Sequence, residues 1–314
     1  PNGPSCFFVP RWTPDEKLNR IFIQRLKNKL GDRSNASSEI ELKETWGRLI
    51  GDEGRGVPII IEMANYTRLD CAIAASSIMR WGTAEAIHHC KHRAAFGAAL
   101  IDQPIMQRVL ADLAIESEAA LRLSLRLARA YDSQTDEKET LFRRIATAVA
   151  KYWLTKRSVT HAYEAMEVLS GNGFVEESHF PRLYRQAPLN SIWEGSGNIM
   201  CLDVLRAMQK EPKTFEVLIA EVSRLKGQNP HLDRMLGHLK DAFAKPEDIL
   251  SHARWIVEKL ALALQATLML ESAPSETAEL FCANRLNENG VNTFGALRGK
   301  ADFKKIILRA EMKI

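Results

Sequence analysis

The sequence predicts a mainly α-helical fold, in which a short segment of β-strands precedes a bundle of long helices and a further helical extension. Before residue 56, apolar positions alternate and the links are rich in turn residues. From Gly56 onwards, apolar residues recur at helical spacing, and no proline interrupts them between Pro58 and Pro104. After Pro212 the helical spacing continues in shorter segments.

The β-rich segment contains short apolar or alternating runs, at residues 5–9, 19–26 and 37–42. In the last run, Ile40 and Leu42 fall on one strand face. So few short strands form a poor sheet by themselves. We therefore interpret residues 1–56 as the C-terminal part of a β-domain. Because the chain starts with proline, we expect it to be the C-terminal portion of a longer chain, with any targeting segment upstream.

The predicted bundle consists of long helices at residues 58–92, 104–131 and 136–170, followed by a fourth helix that begins near residue 196. Pro58 suits the first turn of a helix, and Asp102-Gln103-Pro104 resembles a cap followed by a first-turn proline. A Gly-Asn-Gly run ends the third helix. The predicted apolar face of the fourth consists of Ile199, Leu202, Leu205 and Met208.

The extension is predicted to be helical at residues 213–226, 232–243, 247–272 and 275–288, and to end in a glycine-rich, basic tail. The domains are therefore residues 1–56, 57–211 and 212–314. The last of these carries 15 Lys and Arg against 13 Asp and Glu, which is a small excess for binding nucleic acid.

The composition is that of an ordinary globular protein, with 46% hydrophobic residues, 26% charged residues and a net charge of +4. No apolar run approaches the ~20 residues of a membrane helix, so we expect no membrane span. The five cysteines are scattered and form no CxxC motif. This favours reduced thiols in the cytoplasm or the mitochondrial matrix over a disulfide framework or a zinc site.

Glu194 is the first candidate for chemistry, because it is the only charge between residues 189 and 200. One interpretation is an acid that complements the N-terminus of the following helix. The other is a general base that Trp193 shields from water, with Gly195 and Gly197 allowing a ligand to approach closely. The residues themselves leave both interpretations open.

Two further motifs each allow a structural and a functional interpretation. Arg93, Phe96 and Gly97 can end a helix, or can offer a guanidinium to a pyrophosphate and a ring to a cofactor. The GNGF run at 171–174 can stop a helix, or its backbone N–H groups can cradle a dinucleotide. Since it is not a GxGxxG motif and follows no strand, a Rossmann site is excluded.

Arg68 and a histidine pair complete the candidates. Arg68 lies among small apolar residues, where a guanidinium that extends to solvent is commoner than a buried one that binds an anionic or carbonyl group. His88 and His92 are four residues apart, but no HExxH motif accompanies them, so we predict no metal site.

Taken in order, these motifs resemble the second half of an acyl-CoA dehydrogenase. The resemblance is carried by Thr67-Arg68, Arg93-x-x-Phe96-Gly97, the GNGF run, Tyr184-Arg185 and Glu194-Gly195-Ser196. The runs KLGDRSNASSE (29–39) and NSIWEGSGNIMCLDVLR (190–206) are similar to the AidB-like subgroup of that family. The resemblance covers residues 1–210 well and the tail more loosely. It implies the end of the middle β-domain, the family's C-terminal four-helix bundle and an extra helical extension.

The resemblance also implies an activity. In this family, the residue at the position of Glu194 removes the α-proton of a fatty acyl-CoA while the β-hydride passes to FAD. Thr67, Arg68 and Trp193 match positions at the substrate, and Trp193 replaces the usual tyrosine, which changes the acyl pocket. The family members are usually homotetramers with FAD at a subunit interface, and an electron-transfer flavoprotein is a possible partner.

The positions that match FAD-binding residues of the family are Arg93, Phe96, Gln103, Glu167, Gly171, Gly173, Ser196 and Asn198. Some depart from the family pattern. The usual glutamine after Phe-Gly falls on Pro104, with Gln103 one residue early, and Glu167 and Ser170 replace a glutamine and a glycine. We therefore expect FAD to be bound more weakly or in a different arrangement.

Three functions stay open from the sequence. The first is an FAD-dependent acyl-CoA dehydrogenase. The second is a protein that binds or senses fatty acyl-CoA with little turnover. The third is an AidB-like DNA-associated flavoprotein of the alkylation response, which the small charge excess after residue 212 supports least.

Overall fold

The computed structural model describes residues 3–133, 135–287 and 293–312, apart from the side chain of Pro246. By its internal contacts the chain forms two compact units, Pro1–Thr67 and Arg68–Ile314. The division falls inside the first long helix. The domain boundaries that we placed at residues 56 and 211 stay predictions.

The first unit contains two antiparallel strand pairs, formed by β1 (Cys6–Phe8) with β4 (Arg48–Ile50) and β2 (Ile21–Leu26) with β3 (Ser38–Leu42). Ile23 lies opposite Ile40, and the register then shifts at a bulge. The predicted strands are therefore present, and β4 is an additional one. Ile23 is 54% exposed and Ile40 is 50% exposed. This is expected for two-stranded ribbons, which do not enclose a hydrophobic core.

Helices dominate the rest of the described chain. They are α1 (Gly56–His92), α2 (Pro104–Asp132), α3 (Glu137–Val168), α4 (Gly171–Phe174), α5 (Phe180–Gln186), α6 (Gly197–Lys210), α7 (Pro212–Val222), α8 (Pro230–Phe243), α9 (Ala253–Ser272), α10 (Ser275–Arg285) and α11 (Phe303–Ala310). A small hairpin, β5 (Ala94–Ala95) with β6 (Ala98–Ala99), links α1 to α2. The mainly α-helical fold predicted from the sequence is confirmed.

The long helices begin and end within a few residues of their predicted bounds, because local signals determine them. The Asp136 carboxylate caps α3 by accepting the amides of Lys138 and Glu139 at 2.8 and 3.3 Å. At α2, Pro104 starts the helix as predicted, and Gln103 occupies the capping position without a side-chain capping bond.

The core of the second unit lies around α2 and α3. The helix α3 packs against α2, α6, α7 and α9, and α9 also packs against α2. The part of α1 from Arg68 onwards joins this core. Its Thr83 hydroxyl, which donates to the Met79 carbonyl of the same helix, lies 3.3 Å from the buried His161 ring nitrogen on α3. A Cβ at Gly82 would lie 3.2 Å from the Ala165 Cβ, so α1 and α3 approach closely.

The extension differs from its prediction in two places. The predicted helix 247–272 begins only at Ala253, after a 3₁₀ turn at Pro246–Asp248, and the basic tail contains the unpredicted helix α11. A buried ionic network attaches the extension to the bundle. Arg285 on α10 binds Asp112 and Glu116 of α2, and Arg157 of α3 binds Glu116 at 3.0 Å.

The buried face of α6 agrees only in part with the predicted one. Leu205 is buried and Met208 packs against the core as predicted, but Ile199 and Leu202 are 48% and 42% exposed. The structure instead buries Met200, Val204 and Ala207. Helical spacing supports either stripe, and only the neighbouring helices select one. Within the described ranges, no helix combines the length and the apolar content that a membrane crossing requires.

Candidate active site

Glu194 lies in a tight turn between a 3₁₀ segment (Ala187–Ser191) and α6. Its φ angle is +58° and that of Gly195 is +106°, so two successive residues adopt left-handed backbone. The positive φ at position 195 explains the glycine, and a Cβ there would also lie 3.0 Å from the Ile199 Cγ2. A non-glycine residue at positive φ costs free energy, and such strain is found at functional sites. Glu194 is half-buried, and no residue in the described ranges hydrogen-bonds its carboxylate.

Two buried cations hold the backbone of this turn. Arg68 Nε donates to the Glu194 carbonyl at 3.0 Å, and Lys151 Nζ donates to the Gly195 carbonyl at 2.7 Å. Arg68 is 6% exposed and Lys151 is 1% exposed. Charge-assisted hydrogen bonds of this kind are about twice as strong as neutral ones. The two bonds therefore keep Glu194 in its strained conformation.

Asp203 on α6 fixes Arg68 in turn. Its Oδ2 accepts Arg68 Nη1 at 3.1 Å, and its Oδ1 accepts Arg144 Nη2 of α3 at 3.1 Å. The interpretation of Arg68 as a side chain extended to solvent is therefore wrong, since the guanidinium is buried between a carbonyl and a carboxylate. One acid shared by two arginines leaves a net positive charge beside the Glu194 turn.

Lys151 is perturbed by this environment. Burial lowers the pKa of its ammonium to about 8, and the positive charges of Arg68 and Lys156 also lower it, while Cys71 and Glu194 oppose the shift. Burial also raises the pKa of the Cys71 thiol. The Trp193 Nε1 is buried beside the Cys71 thiol, a weak acceptor. The surroundings of the turn are thus desolvated.

The N-terminus of α6 presents further donors. Ser196 occupies the capping position without a side-chain capping bond, and Asn198 is exposed on the first turn. A Cβ at Gly197 would lie 2.9 Å from the Lys156 Cε, so this cation borders the helix end. Free backbone amides, a hydroxyl and a nearby cation are the donor set that anions such as pyrophosphate require.

The hairpin after α1 presents Phe96 to solvent. Phe96 and Gly97 have φ of +53° and +83°, as in a type I′ turn, and the Phe96 ring is 99% exposed. The Gln103 side chain, which the sequence assigned to cofactor binding, donates from Nε2 to the Ala95 carbonyl at 2.7 Å and braces the hairpin. Arg93 precedes the hairpin and is exposed. A fully exposed ring on a braced turn with strained backbone is a candidate contact for a ligand or a second protomer.

The glycine turn after α3 has space for a side chain at Gly171 but not at Gly173. A Cβ at Gly171 would meet nothing within 4 Å, whereas one at Gly173 would lie 2.2 Å from the Met166 carbonyl oxygen. The Gly173 amide donates to the Ser170 carbonyl at 3.0 Å, so it is already used within the turn. Glu167 is exposed and lies beside Tyr163. In this turn, the backbone around Gly171 offers the space for a ligand.

Among the described residues, the structure brings together only some of the predicted site. Arg68, Trp193, Glu194 and Ser196 belong to one region, which also contains Lys151 and Asp203. No hydrogen bond or ion pair of the described chain joins Arg93, Phe96 or Gln103 to it. The Thr67 hydroxyl donates to the Ala64 carbonyl in its own helix. The functional roles that we predicted for these side chains stay predictions.

Sequence reasoning missed Lys151, Arg144 and Asp203. A signal exists for two of them. Lys151 follows the apolar run Ala-Val-Ala on α3, and Asp203 has the helical spacing of the buried Met200 and Ala207 on α6. A charge on the apolar stripe of a helix indicates a buried ionic or hydrogen-bonded group.

Residues 54–209 match the family model of the acyl-CoA dehydrogenase C-terminal domain. The AidB protein of Escherichia coli (strain K12) is 44% identical over 92% of this chain and 53% of its own length. The chain belongs to the acyl-CoA dehydrogenase family. Acyl-CoA dehydrogenase family member 11 of Caenorhabditis elegans is 30% identical over 76% of this chain and 40% of that protein. The resemblance to the AidB-like subgroup is thereby confirmed.

Solved structures of the family agree with this membership. The crystal structure of Caenorhabditis elegans ACDH-11 in complex with C11-CoA matches with a TM-score of 0.83 at 27% identity, covering 90% of this chain and 53% of that one. This acyl-CoA dehydrogenase family chain thus spans about half the length of the curated relatives it matches.

Proposed function

We propose that this protein is an FAD-dependent acyl-CoA dehydrogenase in which Glu194 is the general base that removes the α-proton of a fatty acyl-CoA. The observation that carries the proposal is a half-buried carboxylate without a hydrogen-bond partner in the described chain, on a strained turn that Arg68 and Lys151 hold by its carbonyls. A base must be fixed in position and free to accept a proton. The capping alternative is disfavoured, because Ser196 and not Glu194 occupies the capping position of α6.

The residues present fit the cofactor of the family. Ser196, Asn198 and the free amides at the start of α6 suit a pyrophosphate, and Lys156 adds a positive charge there. The exposed Phe96 ring suits a contact with the cofactor, and Arg93 suits its phosphates. FAD, when bound, supplies the acceptor for the hydride of the substrate's β-carbon. The protein's own part is to bind, orient and deprotonate the thioester.

A fatty acyl-CoA is the substrate class that we infer. The ACDH-11 relative was solved with C11-CoA. In this chain, Trp193 directly precedes the base, and its indole N–H is buried. We infer that the indole borders the acyl pocket and limits its shape. The exposed Phe96 and Arg93 serve a neighbouring protomer in this proposal, so we also infer a homo-oligomer, most simply a tetramer.

The experiment is anaerobic titration of the full-length flavoprotein with a series of acyl-CoA chain lengths, read by flavin absorbance. The Glu194→Gln variant keeps the size of the side chain but cannot accept the α-proton. We expect its rate of flavin reduction to fall by roughly 10²–10⁴-fold with substrate binding retained. The matched control is Glu211→Gln, which changes an exposed acid at the other end of α6.

The outcomes separate the candidate functions. Wild-type flavin reduction in the Glu194→Gln variant would remove the base assignment. Tight acyl-CoA binding without flavin reduction in the parent protein would favour the sensing function. For DNA, we expect weak binding by residues 212–314, since 15 Lys and Arg there are nearly balanced by 13 Asp and Glu, and Arg224, Arg285 and Arg309 are ion-paired. Tight duplex binding by the full-length protein that is lost when Arg298 and Lys300 are replaced by glutamine would contradict this expectation.

A further inference from the structure

Lys151 is a buried ammonium that receives no ion pair within the described residues. It lies on α3, is 1% exposed and donates to the Gly195 carbonyl at 2.7 Å. Desolvating a charged group costs several kcal/mol unless a counter-charge compensates it. An apolar side chain of similar length would avoid this cost. The position therefore carries a lysine at the expense of stability, directly behind the turn that bears Glu194.

The groups around Lys151 show what the charge acts on. Arg68 and Cys71 face it from α1, Glu194 faces it from the turn, and Lys156 follows on its own helix. Glu194 is the only carboxylate in this set. Arg68 and Lys156 repel the ammonium, whereas Cys71 and the Glu194 carboxylate favour its protonated form.

We propose that Lys151 is the positioning residue of the base: its ammonium holds the Gly195 carbonyl and keeps Glu194 in the left-handed conformation. This proposal rests on the assignment of Glu194 as the base. With Arg68 on one carbonyl and Lys151 on the next, the turn cannot relax without breaking one of the two bonds. Loss of the Lys151 proton turns its charge-assisted bond to the Gly195 carbonyl into a weaker neutral one, so we expect activity to fall above the pH at which this lysine titrates.

The pH range follows from the pKa of Lys151, which burial lowers to about 8. In the unfolded chain a lysine titrates near pH 10.4. Between these values the unfolded state binds more protons than the folded state, so the contribution of Lys151 to stability rises with pH. Above pH 8 the rate of flavin reduction should therefore fall while the free energy of unfolding rises. A lysine with a purely structural role would not produce this combination.

The experiment compares two variants of the full-length holoprotein. Lys151→Gln keeps a donor for the Gly195 carbonyl without the charge, and Lys151→Met removes both. The control Lys138→Gln changes an exposed lysine at the start of the same helix. For each protein, the rate of flavin reduction by acyl-CoA and the thermal midpoint are measured from pH 6 to 10.

We expect the wild-type rate to decline above about pH 8 and both Lys151 variants to lose that decline. At pH 7 the rate should fall about 10-fold in Lys151→Gln and about 100-fold in Lys151→Met, because a displaced base loses rate at this scale. The thermal midpoint of Lys151→Met at pH 7 should equal or exceed that of the wild type. The contribution of Lys151 that raises the wild-type midpoint between pH 8 and 10 should be absent from this variant.

Wild-type rates in both variants, an unchanged alkaline decline, or a strongly lowered midpoint in Lys151→Met would each overturn the positioning role. Failure of the proposed function has a different signature. In that case the parent protein shows no flavin reduction with any acyl-CoA, or Glu194→Gln reduces its flavin normally. If acyl-CoA reduces the flavin of the parent protein but not that of Glu194→Gln, the base assignment holds. The Lys151 variants then test the positioning role alone.

Discussion

Arg68 joins Glu194 to Asp203: its Nε binds the Glu194 carbonyl at 3.0 Å and its Nη1 binds the Asp203 carboxylate at 3.1 Å. The planar guanidinium can serve both groups because its donors diverge at fixed angles. A lysine ammonium carries the same charge on one nitrogen and cannot donate to both the Glu194 carbonyl and the Asp203 carboxylate in this geometry. The orientation of the candidate base is thus tied to an acid nine positions further along the chain.

Replacing Arg68 with lysine tests this relationship. We expect Arg68→Lys to keep a positive charge near Asp203 but to release the Glu194 carbonyl, so that flavin reduction slows by about 10–100-fold. The control is Arg144→Lys, since Arg144 binds the same carboxylate without touching the Glu194 turn. Stopped-flow reduction by acyl-CoA measures both variants. Equal rate losses in the two would show that Arg68 acts only through Asp203.

Phe96 tests the role of the exposed hairpin. The ring is 99% exposed, so Phe96→Ala should leave the thermal stability of the flavin-free protein unchanged. Alanine is as strained as phenylalanine at the φ of +53°, so the backbone is matched. If the ring contacts a neighbour's cofactor, flavin content per protomer and the oligomer population in sedimentation both decrease. The control is Leu250→Ala, at a side chain that is 66% exposed. Full flavin content in Phe96→Ala would contradict the assignment.

The two glycines after α3 form a natural pair of variants. A Cβ at Gly173 would lie 2.2 Å from the Met166 carbonyl oxygen, so Gly173→Ala should lower the free energy of unfolding by about 1–3 kcal/mol. At Gly171 the space is open, and Gly171→Ala should leave stability unchanged. Calorimetry measures both. If the backbone at Gly171 binds FAD, flavin retention alone falls in that variant; retention equal to the wild type would remove Gly171 from the cofactor site.

His161 makes the second unit sensitive to acid. Burial lowers the pKa of its imidazole to about 4, and its Nε2 lies 3.1 Å from the Leu113 carbonyl, which can only accept. The ring is therefore neutral and carries its proton on Nε2. Since the unfolded chain takes up this proton near pH 6.5, the stability from neutral His161 is present above pH 6.5 and is lost as the pH falls towards 4. The loss amounts to about 3 kcal/mol.

Urea unfolding between pH 4 and 7 measures this dependence. We expect His161→Gln to be less stable than the wild type at pH 7 but to lose part of the decline between pH 6.5 and 4. His88→Gln, at an exposed histidine, serves as the control and should keep the wild-type decline. An identical pH dependence in His161→Gln and the wild type would show that other groups cause the acid sensitivity.

The helices and their ends can be predicted from the amino-acid sequence, because the signals are local. Pro58, Pro104 and the glycines after residue 170 act within a few residues of their own position. The sequence also indicated Glu194, since a lone acid between apolar residues and glycines is unusual wherever it occurs. The resemblance to the acyl-CoA dehydrogenases then supplied roles for the other motifs, and the comparison with known proteins confirmed the family.

Tertiary structure decided which charges meet at Glu194 and which helix stripe is buried. Lys151 is 44 positions from Gly195, and Arg68 is 126 positions from Glu194, so no local pattern relates them. On α6, the stripe of Ile199 and Leu202 is as apolar as the one that the structure buries. Helical periodicity states that one face is covered, and only the packing of α3 and α9 against α6 selects the face. The same packing places a lysine, an arginine and an aspartate behind one strained turn, which is why those residues had to be found in the folded protein.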